Sequence, residues 1–117
     1  EQMSAFYKHS LALVMPSYFG PTNMPPLEAF ALNTPVIVSD LPGIRDQVGD
    51  AAMLVSPDKP EELGKAIALL SNDVNIRKAL VTKGRKRLSS FSDKGRLSTL
   101  RDIFNSYDRK RLCWSIE

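Results

Sequence analysis

The stretch Pro16–Asp40, PSYFGPTNMPPLEAFALNTPVIVSD, holds the residues whose types and spacing point to chemistry. Four prolines fall within its first eleven residues, Gly20 lies among them, and the carboxylate of Glu28 follows two residues after the last proline. Prolines reduce the backbone entropy lost on fixing a loop, so such a loop is preorganised. Gly20 permits backbone geometry that other residues resist. Where a loop of this kind leads from a strand into a helix, free N–H groups attract a phosphate, and the helix macrodipole reinforces that preference. Glu28, in the first turn or so of that helix, can accept two hydrogen bonds from a sugar diol. A plainer reading also fits these residues. The prolines and Gly20 then form a rigid turn, NMPP stops a strand, and Glu28 balances the helix dipole.

Other chemistries find little support. One cysteine, Cys113, permits no internal disulfide and no cysteine-based zinc site, and it fits a reducing compartment. His9, the lone histidine, has no ligand partners at useful spacing and reads as structural. No metal site and no catalytic base is expected. With 43% hydrophobic and 25% charged residues, the 117-residue chain has the composition of one globular domain. Its apolar runs are too short to span a bilayer, and no basic-then-apolar run opens it. It begins with Glu1 rather than methionine, so the expectation is a piece of a longer chain. The net charge of +3 conceals an asymmetry: residues 1–71 carry four basic and eight acidic side chains, residues 72–117 twelve and five. A basic half of this kind suits phosphates, nucleic acid or an anionic membrane surface, or is a solvated helix face.

The elements that position the loop alternate between helix and strand. SAFYKHS reads as the end of a helix and LALVMPS as a buried strand closed by Pro16. PPLEAFALN reads as a short helix with proline in its first turn, ended by a left-handed Asn33 and by Pro35. VIVSD has the β-branched content of a strand buried on both faces. LPGIRDQVGD carries turn chemistry at Pro42-Gly43 and Gly49-Asp50, and AAMLVS is a third strand. Asp58 is expected to cap a helix whose apolar face is Leu63, Ala66, Ile67 and Leu70. Asp73 caps the next, with the face Ile76, Leu80, Gly84, Leu88 and then Phe91, where Gly84 implies close helix packing. A last helix carries Leu97, Leu100, Phe104 and Tyr107 on one side. Three strands with helical crossovers define an α/β fold, one mononucleotide-binding half of a doubly wound parallel sheet. Such a sheet leaves a hydrophobic edge bare, so the other half is expected elsewhere.

The run from LVMPSYFGPTNMPPLEAFALNTPVIVSDLPGIRDQVGD through AAMLVSPDKPEELGKAIALL resembles the group 1 glycosyltransferases, the retaining nucleotide-sugar enzymes of family 4 with a GT-B fold. The similarity continues through LVTKGRKRLSSFSDKGRLSTL, and so covers nearly the whole chain. It implies that residues 1–117 are part of a C-terminal nucleotide-sugar-binding domain: the second half of a Rossmann-like sheet of about three strands, flanking helices and a C-terminal helical segment. By the resemblance, Glu28 matches the second glutamate of the family's paired-glutamate motif, which binds the ribose hydroxyls. Asn23, Met24 and Pro25 match the loop facing the donor sugar and diphosphate. Gly20 stands where the first glutamate usually touches the transferred sugar, a departure that leaves sugar contacts to Thr22, Asn23 or backbone groups, with Pro21 between. Asp93 stands where many members carry tryptophan, a packing change. The family's basic phosphate-binding pair and its acceptor domain lie upstream of Glu1.

The partners implied are a nucleotide sugar as donor substrate, with no further cofactor, a glycan or lipid-linked acceptor, and the N-terminal part of the enzyme. The expected location is cytoplasmic. The basic segments Lys83–Arg87 and Arg109–Arg111 suggest peripheral contact with the inner face of a membrane. Nucleic acid is not expected, since aromatic and basic residues do not interleave. The alternative function is a non-catalytic remnant or interaction protein that keeps the half-domain, favoured by Gly20 and the missing halves.

Overall fold

Val36–Ser39 is buried along its whole length, and the surrounding elements are arranged to bury it. The computed structural model describes residues 2–18 and 24–91. In chain order these form α1 (Gln2–His9), β1 (Leu13–Met15), α2 (Met24–Ala31), β2 (Val36–Ser39), α3 (Pro42–Val48), β3 (Met53–Val55), α4 (Pro60–Asn72) and α5 (Val74–Ser90). The sheet order is β1-β2-β3 and both pairings are parallel, with Val14 opposite Ile37 and Val38 opposite Leu54. This is the α/β fold expected of the second half of a Rossmann-like sheet. The expected last helix, Leu97 to Tyr107, lies outside the described residues.

Alternation along β2 divides the core into two layers. Val36 and Val38 face Leu27, Ala29 and Phe30 of α2 and Ile44 and Val48 of α3. Ile37 faces Val55, Ala66 and Leu70 of α4, and Leu80 of α5. A strand covered on both faces needs apolar residues at every position, which is why VIVS reads as a continuous run. β1 differs: Val14 is exposed and Leu13 and Met15 only partly buried, so the expectation of a fully buried strand is corrected. β1 pairs on one side only, and among the described residues no strand pairs with its other edge.

Helix ends follow local chemistry, with two corrections. α2 closes in a Schellman motif: Thr34 N–H donates to Ala29 O at 2.9 Å and Asn33 N–H to Phe30 O at 3.3 Å, with Asn33 at φ 61°. Asp73 caps α5 as expected, accepting from the N–H groups of Asn75 and Ile76. Pro42 opens α3 at its first position, so Pro42-Gly43 starts a helix instead of a turn. Asp58 is not the cap of α4. That position belongs to Lys59, whose side chain makes no cap bond, while Glu62 in the first turn accepts from Ser56 N–H at 2.8 Å. Ile67 is more exposed than the periodicity implied, and Ala66 and Leu70 carry the buried face.

Residues that precede the strands (Ser10, Leu11, Asn33, Pro35) share a groove with Val74, Lys78, Val81 and Thr82 of α5. α5 therefore runs along the end of the sheet where the strands begin, opposite the loops that follow them. Three of its arginines each meet the C-terminal end of a different helix. Arg77 donates to Leu70 O and Ser71 O of α4, Arg85 to the side-chain oxygen of Asn33 behind α2, and Arg87 to Gln47 O (2.8 Å) and Asp46 O of α3. Cations there satisfy orphan carbonyls and oppose the negative end of the macrodipole, an effect of about 0.3–1 kcal/mol each. Lys83 pairs with Asp50 at 3.4 Å. Much of the positive charge of this helix is thus committed to intramolecular partners, and none of it faces the strand C-termini.

The tightest helix contact is α2 against α5. A Cβ added at Gly84 would lie 2.7 Å from Cδ1 of Phe30, a ring only 2% exposed. Gly84→Ala gains up to about 1 kcal/mol of helix propensity, but overpacking of a filled core costs about 1–3 kcal/mol. We expect a net loss of about 1–2 kcal/mol in denaturant unfolding, recovered in part by adding Phe30→Leu, which removes the obstructing ring. A Gly84→Ala protein as stable as the parent would show that the ring yields freely.

Candidate functional site

In open parallel sheets ligands bind beyond the carboxyl ends of the strands. Here those ends are Pro16–Tyr18 after β1, Asp40 after β2 and Ser56–Asp58 after β3. The side chain of Tyr18 crosses from the first to the third of these. Its hydroxyl donates to Asp58 Oδ1 at 2.6 Å, with Pro57 O at 3.3 Å. This bond raises the phenol's pKa above its usual 10.0, with lesser contributions from burial and from the Asp58 charge. The stem of the proline-rich loop is therefore tied to the turn before α4. After β2, Arg45 of α3 grips Asp40, its Nε 2.8 Å from Oδ1. Ser39 Oγ, at the end of β2, is buried without a hydrogen-bond partner among the described residues.

Of the loop residues singled out from the sequence, Gly20, Pro21, Thr22 and Asn23 lie outside the described residues. Met24 and Pro25 form the first two positions of α2; Met24 is exposed and Pro26, beside them, is buried. Of the four N–H groups that a helix start leaves unpaired, Pro25 and Pro26 remove two. Met24 and Leu27 retain theirs, so this helix end is a sparser anion site than most.

Glu28 is the fifth residue of α2, which places it in the second turn, about 6 Å along the axis from Met24. The expectation of a first-turn position is corrected, and with it the idea that Glu28 balances the helix dipole, whose influence fades beyond the first turn. Its neighbours Leu27, Ala29 and Phe30 are buried, and Glu28 projects from the opposite, solvent-facing side. Its carboxylate is not loose. Tyr7 of α1 donates its phenol hydrogen to Oε2 at 3.1 Å. Tyr7 packs against the α2 side of the core, and its carbonyl accepts from Thr34 Oγ1 at 2.7 Å. Burial, then the hydrogen bond and the charge of Glu28, raise the pKa of this phenol above 10.0. Sequence reading missed the roles of Tyr7 and Tyr18. Each meets its partner across a long sequence separation, and only the hydroxyl on an otherwise apolar pattern hinted at a polar contact.

Among the described residues no group of three or more His, Cys, Asp or Glu side chains could hold a metal ion. No helix there is long and apolar enough to cross a membrane. The basic segment Lys83–Arg87 lies at the other end of the sheet, and Arg109–Arg111 lie outside the described residues.

The parallel order β1-β2-β3 with its flanking helices is that of half of a doubly wound sheet. Residues 1–87 match the family described as glycosyl transferases group 1, and the chain belongs to that family. It is 39% identical over 66 residues to the O-antigen chain mannosyltransferase RfbU of Salmonella typhimurium, a match covering 56% of this chain and 19% of that protein. It is 25% identical over 92 residues to the O-antigen chain mannosyltransferase B of Escherichia coli, covering 79% of this chain and 24% of that protein. The sucrose-phosphate synthase of Thermosynechococcus elongatus superposes on 93% of this chain with a TM-score of 0.79 and 25% identity, using 28% of its own length. The chain thus spans about a fifth to a quarter of the curated relatives it matches.

The Tyr18 tie generates a test that requires no ligand. Like any phenol it carries its proton at neutral pH, and because its pKa is raised the tie persists to higher pH than the usual 10.0 before deprotonation breaks it. Tyr18→Phe should speed amide hydrogen exchange at Ser56 and Asp58 and leave the global unfolding midpoint unchanged. Exchange rates identical to the parent would show that the two strand ends are not coupled by this contact.

Proposed function

We propose that this chain is the donor-binding segment of a retaining glycosyltransferase of family 4 with a GT-B fold. In the intact enzyme, a sugar would pass from its nucleoside diphosphate to a hydroxyl of a glycan or lipid-linked acceptor. The observation that carries the reading is Glu28: a carboxylate on the exposed side of α2, behind a proline-rich loop, at the ligand end of a parallel sheet. The names of the O-antigen relatives favour a mannosyl donor.

The segment contributes position rather than proton transfer. No residue of it is assigned as a base. The two oxygens of Glu28 suit the adjacent hydroxyls of a ribose, and each charge-assisted bond is worth roughly 1.5–3 kcal/mol. With the nucleoside fixed there, the diphosphate falls toward Met24, Pro25 and the loop residues Gly20, Pro21, Thr22 and Asn23. The helix start supplies only the N–H groups of Met24 and Leu27, so stabilisation of the leaving diphosphate falls largely on the loop and on a basic pair from the preceding part of the enzyme. Holding donor and acceptor in register converts a bimolecular encounter into an oriented one, an effect of several kcal/mol.

The bare edge of β1 and the exposed Met3 and Phe6 of α1 support the view that the domain is completed by preceding polypeptide. A parallel strand there would continue the sheet, and its crossover helix would cover α1. The isolated chain is accordingly expected to transfer no sugar and to self-associate through that edge. A sharp monomeric sedimentation boundary with cooperative unfolding would count against the half-domain reading. Gly20, in place of the family's first glutamate, favours the second reading, a non-catalytic remnant, which absence of turnover in the intact protein would support.

The decisive test is nucleotide titration of the intact enzyme with and without Glu28→Gln. Affinity for uridine, guanosine or adenosine diphosphate should fall on the order of tenfold to a hundredfold, with the fold retained. Equal affinities would sink the assignment.

A further inference from the structure

We infer that Tyr7 is a positioning residue for the Glu28 carboxylate: its hydroxyl, 3.1 Å from Oε2, holds that group in the orientation that meets a ribose diol. This rests on the ribose-binding reading of Glu28 and adds a residue that the reading does not contain.

A glutamate on a helix surface samples many rotamers, and binding through it requires choosing one. Glu28 has no buried wall to choose for it, because the buried face of α2 lies on the other side. Tyr7 supplies the constraint from a different element. Its backbone is anchored where the strands begin, by the bond from Thr34 Oγ1 to its carbonyl. Its ring packs against the core layer that α2 and α3 share. The phenol therefore extends along the flank of α2 from a fixed base and reaches the carboxylate midway up the helix. It donates to Oε2, which leaves Oε1 and the remaining lone pair of Oε2 for incoming hydroxyls. A phenol suits the task because it has few rotatable bonds and donates a single hydrogen. A phenol carries that hydrogen at neutral pH, and the raised pKa of Tyr7 extends the pH range over which it donates. A lysine or arginine there would also hold Glu28, but by neutralising the charge that draws a sugar hydroxyl.

The experiment compares the intact enzyme with Tyr7→Phe and Glu28→Gln. The probes are the tightest binder among uridine, guanosine and adenosine diphosphates, and its 2′,3′-dideoxy analogue. Tyr7→Phe keeps the ring and its packing. It should weaken the ribonucleotide by about threefold to tenfold, the share of one side chain immobilised on binding, and leave the dideoxy analogue unaffected. A merely structural role would weaken both alike, and that result overturns the inference. If Glu28→Gln erases the preference for the ribonucleotide while Tyr7→Phe preserves it, the ribose reading stands and the positioning role fails. If Glu28→Gln preserves the preference, the ribose reading itself fails. A ligand-free readout accompanies these: the ultraviolet titration of Tyr7 should move down toward its ordinary value in Glu28→Gln. An unmoved titration would show that the pair does not form in solution, and would also overturn the inference.

Discussion

The contact between Phe30 and Gly84 decides where α2 can sit. With no side chain at residue 84, α5 approaches the ring closely, and the ring in turn fills the layer above Val36 and Val38. α2 is thereby pressed onto the sheet by its Leu27, Ala29 and Phe30 face, and its opposite side, with Glu28, faces solvent apart from the Tyr7 hydroxyl. The position of the proposed ribose ligand is thus an outcome of core packing on the far side of the same helix. Tyr7 and Tyr18 add the finer restraints, one on the carboxylate and one on the stem of the loop.

Most of the architecture was legible because each element carried a local cause. VIVS could be placed as a central strand since only a two-sided burial tolerates four consecutive apolar or small residues. Asn33 and Pro35 announced the end of α2, and Asp73 the start of α5, through side-chain or backbone preferences that act within a few residues. The failures share a different cause. Asp58 looked like a cap by its distance from the helix, but Tyr18, far away in sequence, takes its carboxylate instead. Pro42-Gly43 was read as a turn, yet a proline at the first helical position is equally at home. β1 looked buried by composition; its exposure depends on what lies beside it, which no local pattern encodes. Of the site, Glu28 was visible through resemblance and through its place after the prolines, whereas the partners that hold it were tertiary and hence invisible.

Family membership and the parallel sheet place this segment among proteins that move sugars, and its chemistry is consistent with a division of labour. The described residues offer hydrogen-bond geometry and a rigid frame. Among them no group of three or more His, Cys, Asp or Glu side chains could bind a metal. Under the proposed function, such a segment would hold the donor still while the reacting acceptor is brought by another part of the enzyme.

The three arginines of α5 also bear on the order in which the protein can be made. Arg77, Arg85 and Arg87 close the ends of α4, α2 and α3, all of which precede them in the chain. A ribosome adds about 5–20 residues per second, so the carbonyls at the end of α3 wait on the order of several seconds before Arg87 has been synthesised. Until then α2 lacks both its closing arginine and the helix against which Phe30 packs. The layer that carries Glu28 therefore cannot reach its final form during early synthesis, and its completion is deferred to the arrival of the last described helix. A ribosome stalled between residues 56 and 83 would hold a nascent chain with its strands made and its proposed ligand-binding helix still unseated.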